Sequence, residues 1–251
     1  MLKAIIIGLS KATWAQKLIT RWGWAWRLAS RFVAGETAEQ ALHVIQTLNA
    51  RGIYATMDHL GENTVIREDA LLATSEILKM LDLIHQSGAQ ASVSIKLSAI
   101  GILIDEQLCR DNLLQILTRA RDEQAFVRID MEDHTLTDRT LAFYWEMRRQ
   151  GFTNLGVVIQ ADLKRSLSDL QELCRAGAKV RLVKGAYQEP ASLAFPAKRD
   201  VDENYDRLAC MLLDQAKATE DESGDRARQI GLTPPVPALA THDPLRIAHA
   251  R

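Results

Sequence analysis

Lys96, Asp130, Gln160, Arg181 and His242 have side chains suited to binding ions or moving protons, and each closes a short apolar run. Ser94-Ile95-Lys96 closes Val93–Leu97, Arg128-Ile129-Asp130 closes Phe126–Asp130, and Val158-Ile159-Gln160 closes Leu155–Ala161. Arg181-Leu182-Val183-Lys184 closes Lys179–Lys184, and Thr241-His242-Asp243 follows Val236–Ala240. Buried strands rarely end in charge so regularly by chance. In a parallel barrel all the carboxyl ends open on one mouth, where active sites sit. Lys96, Arg181 and Lys184 make that mouth cationic, with Asp130 as counter-charge, a setting for a carboxylate, a phosphate or both. Taken singly, Lys96–Asp130 and Arg181–Asp130 read equally well as structural ion pairs; the repetition favours a site.

Other groups are less decisive. Lys184 follows Arg181 by three residues, so a regular strand puts it on the opposite face, and Gly185-Ala186 lets the backbone approach a neighbour closely. His242 reads as a base, a cofactor contact or a satisfied core histidine. Glu132-Asp133-His134 has metal-ligand residue types, but adjacent residues point apart, which argues against a metal site. Asp58-His59-Leu60-Gly61-Glu62 stays open between a loop site and a polar turn.

The elements that must position these residues follow from periodicity. A basic, aromatic helix is expected over 11–31, with Trp14, Trp22, Trp24 and Trp26. A second covers Thr37–Asn49, with Thr37 as N-cap and Gly52 as terminator. A strand Ile53–Asp58 leads to a helix from about Glu68 to Gln86, closed by Gly88. The pattern then repeats: strand 91–97, helix 105–122, strand 125–130, helix 137–150, strand 155–161, helix 164–176, strand 178–184. An excursion over 187–202, with Pro190 and Pro196, precedes a helix over 203–220 and a sixth strand. Strand then helix means βαβ units and a parallel sheet. Alternation places Val93, Ile95, Leu97, Val127 and Ile129 toward the helices. It places Ser94, Lys96, Arg128 and Asp130 inward, where charge needs a partner or a ligand. The chain has neither GxGxxG nor GxxxxGK[ST], which argues against a doubly wound nucleotide fold. The expected fold is an α/β (βα)8 TIM-type barrel represented by about six of its eight strands: a helical segment over 1–52, then an incomplete barrel over 53–251.

The bulk properties fit a soluble globular protein. The 251 residues are 47% hydrophobic and 25% charged, with net charge −1, so no polyanion partner such as nucleic acid is expected. Residues 1–35 carry six bases and no acid, which suggests a surface contact made by that segment. Cys109, Cys174 and Cys210, odd in number and without CxxC spacing, argue against disulfides and zinc and read as buried small hydrophobes in a reducing compartment. No run approaches the roughly 18–20 apolar residues of a membrane span. Ala4–Leu9 is too short for a secretory core.

Seven motifs in order then resemble one family. They are Arg31-Phe32-Val33-Ala34-Gly35-Glu36, Asp58-His59-Leu60-Gly61-Glu62, Ser94-Ile95-Lys96-Leu97-Ser98, Ile129-Asp130, Val158-Ile159-Gln160-Ala161, Arg181-Leu182-Val183-Lys184-Gly185-Ala186-Tyr187 and Ala240-Thr241-His242. Together they resemble the single-function bacterial proline dehydrogenases, over about residues 15–251. The resemblance implies a distorted barrel holding FAD non-covalently, oxidation of L-proline to Δ1-pyrroline-5-carboxylate, and electrons passed to a membrane quinone. It implies that Lys96 pairs with the substrate carboxylate, that Arg181 meets the isoalloxazine near N5 and that Asp130 belongs to the catalytic set. It implies further that Asp130, Met131, Gln160, Val183, Lys184, Gly185, Ala186, Thr241 and His242 surround the flavin, with Tyr187 on the substrate side. It also implies a cytoplasmic location, peripheral on the inner membrane if the basic helix of residues 1–35 touches lipid; packing across the barrel is the other reading of that helix.

Members of that family continue past the sixth strand, adding two strands and a helix with a tyrosine, an arginine pair and a glutamate. Arg246 and Arg251 do not match that pattern, so a C-terminally truncated sequence with weak or no proline oxidation is the expectation. Two rivals remain: an inactive remnant that binds flavin or ligand without turnover, and a Schiff-base aldolase using Lys96 or Lys184.

Overall fold

The computed structural model describes residues 33–223 and 237–251. The basic helix expected over 11–31 lies outside the described residues. Those described alternate strictly: α1 (Ala38–Asn49), β1 (Ala55–Asp58), α2 (Arg67–Ser87), β2 (Ala91–Ile95), α3 (Glu106–Asp122), β3 (Val127–Ile129), α4 (His134–Arg149), β4 (Leu155–Gln160), α5 (Ser166–Arg175), β5 (Lys179–Val183), α6 (Lys198–Ser223), β6 (Ala238–Leu239) and α7 (Pro244–His249). The strands form one sheet in chain order, every pair parallel. This is the α/β half-barrel expected, six parallel strands curled around a common interior.

The curl is visible in single side chains. Adjacent strands lie about 4.8 Å apart, so β2 and β5 would be roughly 14 Å apart in a flat sheet. Arg181 on β5 nevertheless donates to Ser94 Oγ on β2 at 2.8 Å. Tyr187, beyond β5, donates to Glu62 Oε2, beyond β1, at 3.2 Å. Neither contact is reachable across a flat sheet.

Alternation sorts the two faces as the sequence dictates. Val93, Ile95, Val127, Ile129, Leu155, Val157, Ile159, Val180 and Leu182 are all buried. They meet Leu81 and Ile77 of α2, Leu113 and Leu117 of α3, Tyr144 and Met147 of α4, and Leu208 of α6 in one core. Full burial of each such side chain contributes about 1.5–3 kcal/mol. In-register neighbours on the other face, Ser94 with Arg128 and Arg128 with Gly156, point inward.

The helix starts show where apolar periodicity falls short. Thr37 caps α1 and Gly88, at φ 65°, closes α2, both as expected. Helix α4 begins at His134, three residues before the periodic reading, because Asp133 caps it by accepting from Thr135 N at 2.9 Å. Helix α6 begins at Lys198, five residues early. Its first turn is polar and held by Lys198–Asp202 and Arg199–Glu203 pairs, which carry no apolar signal. The cysteine expectation needs correction: Cys109 is buried, Cys174 partly so, and Cys210 is exposed, because its place on α6 faces away from the core.

Tyr144 is fully buried, yet its hydroxyl has no hydrogen-bond partner among the described residues. Tyr144→Phe is therefore expected to raise stability by about 1 kcal/mol, since it removes an unsatisfied buried hydroxyl and keeps the ring. In a chain of this size that is a rise in melting temperature of about 2–4 °C. A fall would show that the hydroxyl is bonded in solution.

Candidate active site

The inward positions of β2, β3 and β5 and the residues just beyond them build a charged constellation. Lys96, one residue past β2, places Nζ 3.0 Å from Asp58 Oδ2 and 3.6 Å from Asp130 Oδ2. Arg181 donates to Asp130 Oδ1 at 3.1 Å and to Ser94. Asp130 thus bridges the two cations. The side chains of Lys96, Asp130 and Arg181 are only 18%, 18% and 16% exposed. The expected inward residues Ser94, Lys96, Asp130 and Arg181 are therefore brought together, with Asp58 as a further partner.

Burial and neighbouring charges pull the titrating groups in opposite directions. Burial disfavours the Lys96 ammonium, but Asp58, Asp130 and Glu132 outweigh it and raise the pKa above the ordinary lysine value. Burial raises the Asp130 carboxyl, against the pull of Arg181 and Lys96. Beneath them Arg128 is almost fully buried, with its guanidinium 5.1 Å from the Phe126 ring centre. Burial, and then Arg181, lower its pKa to about 10. Its Nε has no hydrogen-bond partner among the described residues. Gly156 leaves the room: a Cβ there would lie 2.7 Å from Phe126 and 3.3 Å from Arg128 Nε. Three cations, Lys96, Arg128 and Arg181, thus gather beside the carboxylates Asp58 and Asp130, with Glu132 close enough to act on Lys96, and the cations are placed together where an anionic ligand could meet them.

The rim holds residues that the strand-end rule missed. Glu62 accepts from Tyr187, whose phenol is pushed up by burial and by Glu62 and stays a donor. Glu132, buried, accepts from Ser98 through both carboxylate oxygens. Burial raises its pKa against those hydrogen bonds. His134 binds the buried carboxylate of Glu189 through Nδ1 and its backbone N–H. Glu132, Asp133 and His134 thus point to three different partners, as adjacency required. The signal for Asp58 and Glu62 was available: Asp58 closes the first strand just as Lys96 follows the second.

The remaining candidates fall into two groups. Met131 and Gln160 are buried at the ends of β3 and β4, and Gln160 Nε2 donates to Glu132 O at 2.9 Å. Val183, Gly185 and Ala186 continue β5 toward Tyr187, Ala186 being exposed. The close neighbour of Gly185 is the Asp162 carboxylate. Lys184 lies away from Arg181, as parity requires, and its ammonium pairs with Asp202 and Asp243. Thr241 Oγ1 accepts from Asp243 N at 3.1 Å. His242 is exposed, so the core-histidine reading is corrected; the turn into α7 carries it out of the sheet. Arg246 pairs with Asp202 and Asp206, away from the mouth.

Comparison with known proteins gives this arrangement a context. Residues 41–251 match the proline dehydrogenase family. The chain is similar to the proline dehydrogenase of Deinococcus radiodurans, 38% identical over 205 residues, covering 78% of this chain and 66% of that protein. It is also similar to proline dehydrogenase 1 of Bacillus subtilis, 36% identical over 211 residues, covering 83% and 68%. Its fold is similar to crystal structures of proline utilization A. For the Bdellovibrio bacteriovorus protein inactivated by N-propargylglycine, the TM-score is 0.69 at 23% identity, over 77% of this chain and 25% of that one. For a Bradyrhizobium japonicum variant it is 0.67 at 25% identity, over 93% and 27%. The chain thus spans about two thirds of the length of the curated relatives it matches and about a quarter of the proline utilization A chains.

Proposed function

The chain belongs to the proline dehydrogenase family, and on that premise we propose that it oxidises L-proline to 1-pyrroline-5-carboxylate, with FAD as cofactor and a quinone as final acceptor. The observation that carries this reading is the Lys96–Asp130–Arg181 constellation at the strand ends. The donor set fits the cofactor, because Lys96, Arg128 and Arg181 gather at the interior and the buried Nε of Arg128 has no hydrogen-bond partner among the described residues. Bound FAD supplies the electron acceptor that no side chain provides.

Each residue then has a task of its own. Lys96, kept charged between Asp58 and Asp130, offers its ammonium to the proline carboxylate. Arg181 is held by Ser94 and Asp130, so its guanidinium is oriented before anything binds; it stabilises negative charge developing on the acceptor. Asp130 keeps both cations in place and stops them from repelling each other. Among the described residues Gln160 has one amide N–H and its oxygen left after its bond to Glu132, and with Met131, Val183, Gly185, Ala186, Thr241 and His242 it would surround the flavin. Lys184 would join them only by giving up part of its pairing with Asp202 and Asp243. Tyr187 would close the substrate side. A quinone acceptor calls for contact with a membrane surface, for which the basic residues 1–35 are the candidate. Among the described residues no helix is long and apolar enough to cross a membrane.

The aldolase reading weakens at Lys96. A Schiff-base lysine needs its neutral amine, and the flanking carboxylates favour the ammonium. Purification with added FAD tests the proposal. The expected protein is yellow, and its absorbance bleaches slowly when proline is added without oxygen, in keeping with the weak oxidation expected from the sequence. Flavin without bleaching would favour an inactive binding remnant; borohydride trapping of a carbonyl substrate would favour the aldolase.

A further inference from the structure

A buried chain of hydrogen bonds links four strand ends. Gln160, the last residue of β4, donates to Glu132 O at 2.9 Å. The Glu132 carboxylate, beyond β3, accepts from Ser98 N at 3.0 Å and from Ser98 Oγ. Ser98, beyond β2, accepts in turn from the loop after β1, at Oγ from Asn63 N at 2.9 Å and at its carbonyl from Thr64 N at 3.1 Å. Asn63 sits at φ 58°, a conformation that needs support in a residue other than glycine. The adjacent Glu62 is the residue that reaches across the mouth to Tyr187.

The direction of each bond matters. A serine hydroxyl carries one proton. Because Glu132 takes that proton, a lone pair of Ser98 Oγ is left facing Asn63 N–H. Ser98 is 0% and Glu132 2% exposed, so water does not compete for the bonds between them, while Asn63 at the loop end is exposed. We infer that Ser98 and Glu132 are positioning residues: they clasp the loop after β1, hold Glu62 against Tyr187 and so set the affinity of the mouth for its cyclic amino-acid substrate. The substrate part of this inference rests on the function proposed above; the clasp itself does not.

Hydrogen exchange on the purified chain reads the clasp without any catalysis. Ser98→Ala is expected to speed exchange at the Asn63 and Thr64 amides about tenfold, with the core of β2 to β4 unchanged. Glu132→Ala should do the same. Glu132→Gln, whose amide has one accepting oxygen for the two Ser98 donors, should fall between the wild type and Glu132→Ala. With FAD present, Ser98→Ala should raise KM for proline about tenfold and leave kcat within about twofold. Unchanged exchange in Ser98→Ala and Glu132→Ala would overturn the clasp whatever the substrate is. Faster exchange with unchanged KM would overturn the positioning role. If the wild-type chain does not respond to proline, the proposed function fails and the exchange result alone decides the clasp.

Discussion

Arg181→Met is expected to lower kcat/KM for proline by about 10²–10³-fold, the range seen when one preorganised charge donor is removed from a reaction centre. The guanidinium is held by two partners on other strands, Ser94 and Asp130, so its orientation costs nothing at the moment of reaction. Methionine keeps the length of the side chain and loses both bonds and the charge. Asp130 is then left with Lys96 at 3.6 Å as its close cation, and the tie from β5 to β2 is lost. Arg181→Lys should recover only part of the loss, because one ammonium cannot serve Ser94 and Asp130 in the fork geometry of a guanidinium. Steady-state kinetics with FAD in excess, beside a flavin titration, separates the charge effect from cofactor loss. Retention of half or more of the wild-type kcat/KM in Arg181→Met would remove Arg181 from the catalytic set.

How far the site could be read in advance depended on distance along the chain. Strand parity is a local property, and it placed Ser94, Lys96, Arg128 and Asp130 inward and Val93, Ile95, Val127 and Ile129 outward, where they are found. It also separated Lys184 from Arg181. Parity says nothing of partners contributed by loops. Tyr187 meets Glu62 across 125 positions, and His134 meets Glu189 across 55; both contacts depend on how the sheet curls. Parity also puts Ser98 on the inward face with Ser94 and Lys96, but not its partners Glu132 and Asn63, which lie beyond other strands. Helix starts went the same way. The first turns of α4 and α6 are polar, held by a cap and by ion pairs, and apolar periodicity does not register them. The mouth is thus legible where alternation decides and illegible where long-range pairing decides.

Gly185→Ala carries the second large expected effect, on stability and on the site together. Gly185 sits at φ +112°, outside the range that L side chains adopt readily, and an added Cβ would lie 2.0–2.2 Å from the Asp162 carboxylate. The backbone on both sides is fixed: Asp162 N donates to Lys184 O and Ala161 N to Val183 O, each at 2.8 Å, while Phe195 N donates to Asp162 O at 2.8 Å. The Asp162 side chain can turn away, but the backbone strain stays, at about 1–3 kcal/mol. With the displaced carboxylate added, a total of at least about 2 kcal/mol is expected, a fall in melting temperature of about 4–8 °C. Gly177 is the control. It also has positive φ, +63°, but a Cβ there meets nothing within 4 Å, so Gly177→Ala should cost about 1 kcal/mol. The two variants should differ in function as well. Gly185 lies between Lys184, which is tied to α6 and α7 by Asp202 and Asp243, and Tyr187, which is tied to Glu62. Moving that backbone re-aims Tyr187 and the segment assigned to the flavin, so Gly185→Ala should weaken FAD binding at least tenfold while Gly177→Ala leaves it unchanged. Equal stability losses and equal flavin affinities in the two variants would show that the approach of Gly185 to Asp162 has no part in shaping the mouth.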